Sequence, residues 1–316
     1  MKKTILKYRL PGDTVRNQKG IFDLIQRDEL QGFQGFVVGD FQLDKVYGFY
    51  PGLEDSSELS VKAPVIMNKE TYFEIASNYI EKMQDGNFDK IILSRVQKEK
   101  LTRGQDLIFD ALCKAYPSAF VYLISSPHFG TWIGATPERL LQKDDVKAMV
   151  VALAGTKLSI DESPWRKKEI EEQAYVTEFL KKRLEKNKVR DLRVTGPGEL
   201  IAGPVKHLYT ELTFDNSIDV WKIIQAIHPT PAVCGMPQDL TREIILRTEP
   251  HNRSLYSGVI GLINENKVDL FVNLRCGQII DNEIFMFLGG GLTRYSDPEE
   301  EWLETMNKAK TLSAFL

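Results

Sequence analysis

The spacing of apolar residues along the chain predicts several amphipathic helices, the first of them directly after Asn68. Apolar residues recur there at intervals of three or four positions, which places them on one face of a helix. These positions are Tyr72, Ile75, Ala76, Tyr79, Ile80 and Met83. Asn68 is a favoured N-cap, and Gly86 is a favoured C-terminal stop. Further helices are expected near 105–115, 163–186, 217–227 and 239–247, and a last one begins at Asp297 and Pro298, a favoured N-cap and first-turn pair.

Short apolar runs rich in β-branched residues predict strands between these helices. They are expected at 35–38, 90–96, 119–125, 130–135, 148–153, 256–263, 268–279 and 283–288. Several of them follow one another with no helix between, which favours antiparallel pairing over the strict alternation of a doubly wound parallel sheet. The pattern therefore predicts an α+β fold, with large antiparallel β-sheets packed in a sandwich and helices outside.

The composition of this 316-residue chain is typical of soluble globular proteins, with 42% hydrophobic and 27% charged residues. A formal net charge of −3 does not indicate nucleic acid or a membrane surface as a partner. No apolar run reaches the roughly 18 residues of a membrane-spanning helix, and the first residues lack the apolar core of a secretion signal. The three cysteines (Cys113, Cys234 and Cys276) fit neither a disulfide framework nor a zinc site. We therefore expect a cytoplasmic protein.

Two pairs of glutamates stand out within the predicted helices. Glu169 and Glu172 lie in the helix near 163–186, and Glu301 and Glu304 lie in the last helix. The i,i+3 spacing places both carboxylates of a pair on one helix face. If the two helices approach each other, four carboxylates converge without a histidine or cysteine, and such a set suits Mg2+. The alternative is that both acidic faces are simply solvated.

Segments spread from about residue 68 to the end of the chain resemble the chorismate-utilising enzymes, the family of isochorismate, salicylate, anthranilate and aminodeoxychorismate synthases. The segments are 88–95 (FDKIILSR), 134–138 (GATPE), 153–156 (LAGT), 168–172 (KEIEE), 228–235 (HPTPAVCG), 273–276 (NLRC) and 296–308. Their order matches that of the family. The resemblance implies a catalytic chorismate-binding domain over 61–316, with residues 1–60 as a shortened variable N-terminal part of the same domain.

Within this resemblance, Lys90 and Glu138 are implied as the base and the acid. Members of the family that use water have lysine at the position of Lys90, whereas anthranilate synthases, which use ammonia, have glutamine. A lysine acts as a base only if burial or neighbouring positive charge destabilises its ammonium. Glu138 would protonate the leaving 4-hydroxyl, for which burial must raise its pKa. Without the resemblance, Lys90 would be interpreted as a strand-edge charge and Glu138 as a loop carboxylate bonded to backbone.

The same resemblance implies the groups that bind the substrate and the metal. Arg275 would bind a carboxylate of chorismate through its planar fork, and Lys308 would be a second cationic contact. Backbone N–H groups of Gly289, Gly290 and Gly291 would add donors, unless these glycines form only a flexible turn. Mg2+ would be held directly by Glu172 and Glu304 and through its waters by the other two glutamates, Glu169 and Glu301.

Four further residues, expected to contact the substrate, bear on the choice of reaction. Ala154, followed by Gly155 and Thr156, stands where aminodeoxychorismate synthases have a nucleophilic lysine. His228 opens its segment in the form that resembles isochorismate synthases, and it either lines the pocket or supports a turn. The resemblance implies Mg2+-dependent isomerisation of chorismate to isochorismate, for menaquinone or siderophore biosynthesis, with no glutamine amidotransferase subunit as a partner. A salicylate synthase, which would go on to eliminate pyruvate, is the alternative.

Overall fold

Two large antiparallel sheets and six α-helices make up the described part of the chain, which covers residues 4–53, 61–202 and 205–316 of a computed structural model. The helices are α1 (Lys69–Gln84), α2 (Gln105–Ala115), α3 (Lys167–Lys186), α4 (Val220–Ile227), α5 (Gln238–Thr248) and α6 (Pro298–Ser313). The first strands are β1 (Ile5–Arg9), β2 (Arg16–Gln18), β3 (Gly20–Leu24), β4 (Gly35–Gly39), β5 (Val46–Pro51), β6 (Lys90–Lys100), β7 (Phe120–Ser126), β8 (Gly130–Thr136) and β9 (Arg139–Lys143). The remaining strands are β10 (Lys147–Leu158), β11 (Arg193–Ala202), β12 (Val205–Asp215), β13 (Gly235–Met236), β14 (Val259–Ile263), β15 (Val268–Val272), β16 (Cys276–Ile280) and β17 (Glu283–Thr293). The predicted α+β class is confirmed.

The two sheets pack face to face. The eight-stranded sheet has the order β13-β6-β17-β16-β8-β7-β1-β2, and the nine-stranded sheet has the order β11-β12-β10-β9-β15-β14-β4-β5-β3. Aromatic side chains fill the space between them. Phe120 of the first sheet stacks on Phe271 of the second with ring centroids 4.8 Å apart. Such interdigitation of two inner faces is the packing of a β-sandwich, so the predicted sandwich is confirmed as well.

Helices cover the outer faces of both sheets. Ile108 and Leu112 of α2 pack on Val121 and Ile133 of the eight-stranded sheet. On the other side, α3 and α4 pack their apolar faces against β10 and β12. Across the described ranges, no helix combines the length and the apolar character needed to cross a membrane.

Several element boundaries differ from the sequence prediction at functionally important places. The predicted strand 268–279 is two strands, because β15 ends at Val272 in one sheet and β16 begins at Cys276 in the other. Arg275, with a φ of 49°, lies in the crossing between them. The predicted strand 283–288 continues to Thr293, so the glycines at 289–291 belong to β17 and do not form a turn. The hairpin of β11 and β12 was not predicted at all.

Strands from residues before 54 complete one edge of each sheet. β1 pairs with β7 and β2, and β4 pairs with β14 and β5. The interpretation of residues 1–60 as a shortened variable part of the domain stays a prediction, and residues 54–60 lie outside the described ranges.

A buried ion pair joins the end of α5 to β6 and to the loop before β13. Arg253 donates to both carboxylate oxygens of Glu249, with Nη2–Oε1 and Nε–Oε2 distances of 2.6 and 2.8 Å. Its remaining hydrogen bonds go to the carbonyl oxygens of Val233 and Ile92, at 2.7 and 3.0 Å. Glu249 Oε1 also accepts a hydrogen bond from the backbone N–H of Ser94, at 2.7 Å. Both charges are fully hydrogen-bonded, which makes their burial tolerable.

We expect Arg253→Ala to lower the free energy of unfolding by about 3–5 kcal/mol, because it leaves the Glu249 carboxylate buried without its partner. The matched control is Arg242→Ala, which breaks an exposed pair with Asp239 and should cost less than about 1 kcal/mol. Urea unfolding followed by circular dichroism measures both. Equal losses in the two variants would contradict a structural role for the buried pair.

Candidate active site

A cleft opens beside β17, between β10, the start of α3 and α6. Most of the residues proposed from the sequence line it. They are Glu138, Ala154, Gly155, Glu169, Glu172, Arg275, Gly289, Gly290, Gly291, Glu304 and Lys308. Segments that lie far apart in the sequence thus converge on one concave surface, which is the usual form of a small-molecule site.

Lys90 lies directly behind the wall of this cleft. It is the first residue of β6, its side chain is 0% exposed, and its Nζ lies 2.8 Å from Glu172 Oε1. The expected burial is therefore present, and a carboxylate contacts the buried amine. Glu172 itself lines the cleft, so it lies between the lysine and the open space.

Glu138 is held in the short turn between β8 and β9. Its carbonyl oxygen accepts from Val272 N–H at 2.9 Å, and its own N–H donates to Thr136 Oγ1 at 3.3 Å. Burial raises the pKa of Glu138 to about 7, while the charges of Lys90, Lys308 and Arg275 oppose this rise. A carboxyl group with such a pKa is protonated in a large fraction of molecules at neutral pH, as a general acid must be. The influence of Lys90 also places the two groups in one electrostatic environment.

Two cationic side chains, those of Arg275 and Lys308, line the cleft as well. Arg275 Nη1 donates to Thr311 Oγ1 on α6 at 2.9 Å, and burial lowers the pKa of this guanidinium. Lys308, also on α6, donates to the carbonyl oxygen of Gly289 at 2.7 Å and contacts Glu304 Oε1 at 2.6 Å. Both cations are therefore oriented by neighbours on α6 and β17, and both could receive a carboxylate.

The glycines of β17 present backbone to the cleft. Gly289 stands opposite Ser94 in the β6–β17 pair, but the two residues do not bond each other. The N–H of Ser94 donates to the Glu249 carboxylate, and the carbonyl oxygen of Gly289 accepts from Lys308. In an antiparallel pair the N–H and C=O of one residue point the same way, so the Gly289 N–H also faces away from β6. A Cβ atom at Gly291 would lie 2.7 Å from Glu172 Oε1, so a larger residue there would push this carboxylate aside. Gly291 therefore keeps the space beside Glu172 open.

The acidic pairs lie in the first two turns of α3 and α6. Glu169 and Glu301 are only 5% and 1% exposed, so the alternative of two solvated faces does not hold for these two residues. Arg166 connects the helices, with Nη2 2.6 Å from Glu169 and Nη1 3.9 Å from Glu300. Glu301 accepts a hydrogen bond from Ser296 Oγ at 2.8 Å.

The acidic residues do not form a ready-made metal site. Within the residues that the structure describes, no three His, Cys, Asp or Glu side chains are arranged to hold an ion. Glu169, Glu172 and Glu304 each contact a basic side chain of the chain itself. Their chemistry nevertheless fits Mg2+, because all donors are carboxylate oxygens and these three line one cleft. Binding would require the ion pairs to open.

His228 does not join the cleft as expected. His228 Nε2 lies 3.0 Å from the carbonyl oxygen of Phe41, and the residue does not line the cleft. Burial lowers its pKa to about 4. This placement favours the structural alternative, in which His228 supports the turn after α4. Thr156 pairs with His207 in the sheet, and its side chain lies outside the described part of the structure.

His207 and Arg166 line the cleft but were missed from the sequence. His207 lies in β12, with Nδ1 3.2 Å from the carbonyl oxygen of Gly155, and burial lowers its pKa to about 4. It was missed because its hairpin was not predicted. The signal was present, since Leu208, Leu212 and Phe214 keep the even spacing of one strand face. Arg166 precedes the helical pattern of α3 and carried no signal of its own.

Comparison with known proteins identifies the family. Residues 50–316 match the sequence profile of the family described as chorismate binding enzyme. The chain therefore belongs to the chorismate-binding enzyme family.

The names of individual relatives are more specific than the description of the family. The chain is 29% identical over 248 residues to isochorismate synthase MenF of Escherichia coli K12, a match that covers 73% of this chain and 57% of MenF. It is 29% identical over 264 residues to isochorismate synthase DhbC of Bacillus subtilis 168, covering 74% of this chain and 64% of DhbC. The chain thus matches less than two thirds of the length of these relatives.

Two solved structures share the fold. A proposed 2,3-dihydroxybenzoate-specific isochorismate synthase, DhbC from Bacillus anthracis, superposes with a TM-score of 0.83 at 24% identity, covering 99% of this chain and 96% of that one. The menaquinone-specific isochorismate synthase MenF from Escherichia coli gives a TM-score of 0.80 at 20% identity, covering 99% and 88%. At these identities the likeness supports the fold alone.

We expect Glu138→Gln to remove a pH-dependent part of the protein's stability. The pKa of the folded carboxyl, about 7, lies above its ordinary value of 4.5, so the folded state holds this proton more tightly than the unfolded state. Glu138 therefore contributes stability that is fully present below pH 4.5 and lost as the pH rises to about 7. The loss is on the order of 3 kcal/mol.

Urea unfolding of the wild type and the variant between pH 4.5 and 8 measures this difference. The exposed substitution Glu283→Gln serves as the control and should follow the wild type at every pH. If the curve for Glu138→Gln also runs parallel to that of the wild type, Glu138 does not titrate near neutrality in the folded protein.

Proposed function

We propose that this protein is an isochorismate synthase, which converts chorismate to isochorismate by adding water at C2 and expelling the 4-hydroxyl. The observation that carries the proposal is the position of Glu138. It lines the cleft, its pKa is raised to about 7, and it feels the charge of the buried Lys90. A neutral acid and a buried amine are the two groups that a hydration with loss of hydroxide needs.

In this proposal one group, as a free amine, takes a proton from the attacking water, and the other gives a proton to the leaving oxygen. Lys90 accepts a proton from the water whose oxygen bonds to C2. The two ring double bonds each shift by one position, and the C4–O bond breaks. Glu138 gives its proton to the departing oxygen, so that a water molecule leaves. One water enters and one leaves, and the product is an isomer of the substrate.

The carboxylates of chorismate are received by Arg275, Lys308 and the backbone of β17 in the same proposal. Arg275 and Lys308 both line the cleft, and the N–H of Gly289 faces away from β6. Charge-assisted contacts of this kind fix orientation and supply binding energy. His207, which burial keeps neutral, completes the wall beside Gly155.

Mg2+ is the proposed cofactor, held by Glu172 and Glu304 directly and by Glu169 and Glu301 through water. When bound, it would neutralise the ring carboxylate and polarise the ring for attack. The support is that three of these glutamates, Glu169, Glu172 and Glu304, line one cleft with carboxylate oxygens.

Water is favoured over ammonia as the nucleophile because the residue at 90 is a lysine. The relatives named isochorismate synthase support the same choice, and we propose that no ammonia-supplying subunit is needed. The relatives include both a menaquinone-specific enzyme and a proposed dihydroxybenzoate-specific one, so either pathway suits the proposed product. A salicylate synthase would share the acid and the base, but no feature of the cleft favours it.

The direct test is to incubate the purified protein with chorismate and Mg2+ and to separate the products by chromatography. We expect isochorismate without salicylate or pyruvate. Anthranilate formed with ammonia, or pyruvate formed with salicylate, would contradict the proposed reaction.

We expect Lys90→Ala and Glu138→Gln each to reduce kcat by about 100-fold to 10,000-fold, which is the usual contribution of a general acid or base. Lys98→Ala and Glu283→Gln are matched controls, because these residues form an exposed pair 3.0 Å apart and Lys98 lies on the same strand as Lys90. The controls should keep wild-type activity. Near wild-type turnover in either cleft variant, with an unchanged circular dichroism spectrum, would refute the assigned roles.

We expect Glu172→Ala to raise the Mg2+ concentration needed for half-maximal activity at least about tenfold, because a direct carboxylate ligand is lost. Glu178→Ala on the same helix is the control. An unchanged magnesium titration in Glu172→Ala would remove Glu172 from the ligand set.

A further inference from the structure

Three of the four acidic residues that line the cleft contact basic side chains of the same chain. Glu172 contacts Lys90 at 2.8 Å, Glu304 contacts Lys308 at 2.6 Å and Glu169 contacts Arg166 at 2.6 Å. Two of the three basic residues already have proposed roles, since Lys90 is the proposed base and Lys308 a proposed substrate contact. Arg166 has neither role, although it lines the cleft.

The contact between Arg166 and Glu169 occupies both oxygens of the carboxylate. Nη2 and Nε lie 2.6 and 3.0 Å from Oε1, and Nε lies 3.3 Å from Oε2. A guanidinium in this position satisfies the same oxygens that a hydrated cation would need. The carboxylate is nearly buried, so it gains from having a counter-charge.

Arg166 is also free to leave. Its side chain is 66% exposed, against 7% for that of Glu169. Arg166 is the N-cap residue of α3, and its side chain makes no capping hydrogen bond. A change of its rotamer therefore breaks no hydrogen bond of the helix. Its second acidic neighbour, Glu300, is exposed and 3.9 Å away, which offers the guanidinium an alternative partner outside the cleft.

We propose that Arg166 is an internal countercation of the metal site, which holds Glu169 while no divalent ion is present and must swing outward when one binds. The inference rests on the metal site of the proposed function. Divalent ion and guanidinium then compete for one carboxylate, so Arg166 sets how tightly the ion is held. Its removal strengthens metal binding, whereas removal of a ligand weakens it.

The test is Mn2+ binding to the protein without chorismate, measured by the electron paramagnetic resonance signal of free Mn2+. We expect Arg166→Gln to lower the Kd for Mn2+ about threefold to tenfold, the range expected for loss of one partly exposed competing charge. The matched control is Lys167→Gln, which removes the same charge one residue further on. Lys167 contacts Glu171 at 3.6 Å, so this variant should change the Kd less than twofold.

A double-mutant cycle with Glu169→Gln isolates the pair. In the Glu169→Gln background, Arg166→Gln should no longer tighten Mn2+ binding. Equal Kd values for Arg166→Gln and Lys167→Gln, or a full effect of Arg166→Gln in the absence of the Glu169 carboxylate, would overturn this inference alone. A wild-type protein that binds no Mn2+ would overturn it together with the metal part of the proposed function, while leaving the roles of Lys90 and Glu138 to the product assay.

Discussion

The buried pair of Glu249 and Arg253 is the interaction on which the shape of the cleft depends. Arg253 binds the carbonyls of Ile92 and Val233, and both of these residues line the cleft. Glu249 accepts a hydrogen bond from the N–H of Ser94, and Ser94 stands opposite Gly289 of β17. The two charges thus hold the backbone of β6 and of the segment before β13 in place beside the cleft. An apolar pair of equal volume could support the core, but it could not direct these backbone groups.

The cleft itself is a balance of buried charges. Its carboxylates and basic groups are closely matched, so none of them is left isolated in a region of low polarity, where an unpaired charge is costly. Glu138 is the exception, because no basic side chain contacts it directly at salt-bridge distance among the described residues, and its pKa rises to about 7 as a result of burial. The group proposed to donate a proton is therefore the one that the charge pairing leaves out. In the proposed function, the reacting acid lies where the electrostatic compensation is weakest.

The sequence allowed prediction of the fold class and most of the cleft, and the failures have physical causes. The starts of α1 and α6 could be predicted because Asn68 and Asp297 are favoured N-caps. In the structure both side chains accept hydrogen bonds from the first helical turn. Periodicity could not show that the run 268–279 changes sheets, because both strands are apolar and only the backbone of 273–275 turns. It missed the hairpin that carries His207, whose exposed first strand lacks an apolar face. Pairing partners such as Arg166 depend on tertiary contacts that spacing does not reveal.

The crossing at 273–275 couples recognition to the architecture. Arg275 lies where the chain leaves the nine-stranded sheet and enters the eight-stranded sheet. The backbone edge formed by Gly289, Gly290 and Gly291 belongs to the eight-stranded sheet only. The distance between the Arg275 guanidinium and this edge therefore depends on how the two sheets are aligned. In the proposed function, any slippage of one sheet over the other would weaken the binding of chorismate before the core itself came apart. Selection for ligand affinity would in this way preserve the alignment of the whole sandwich.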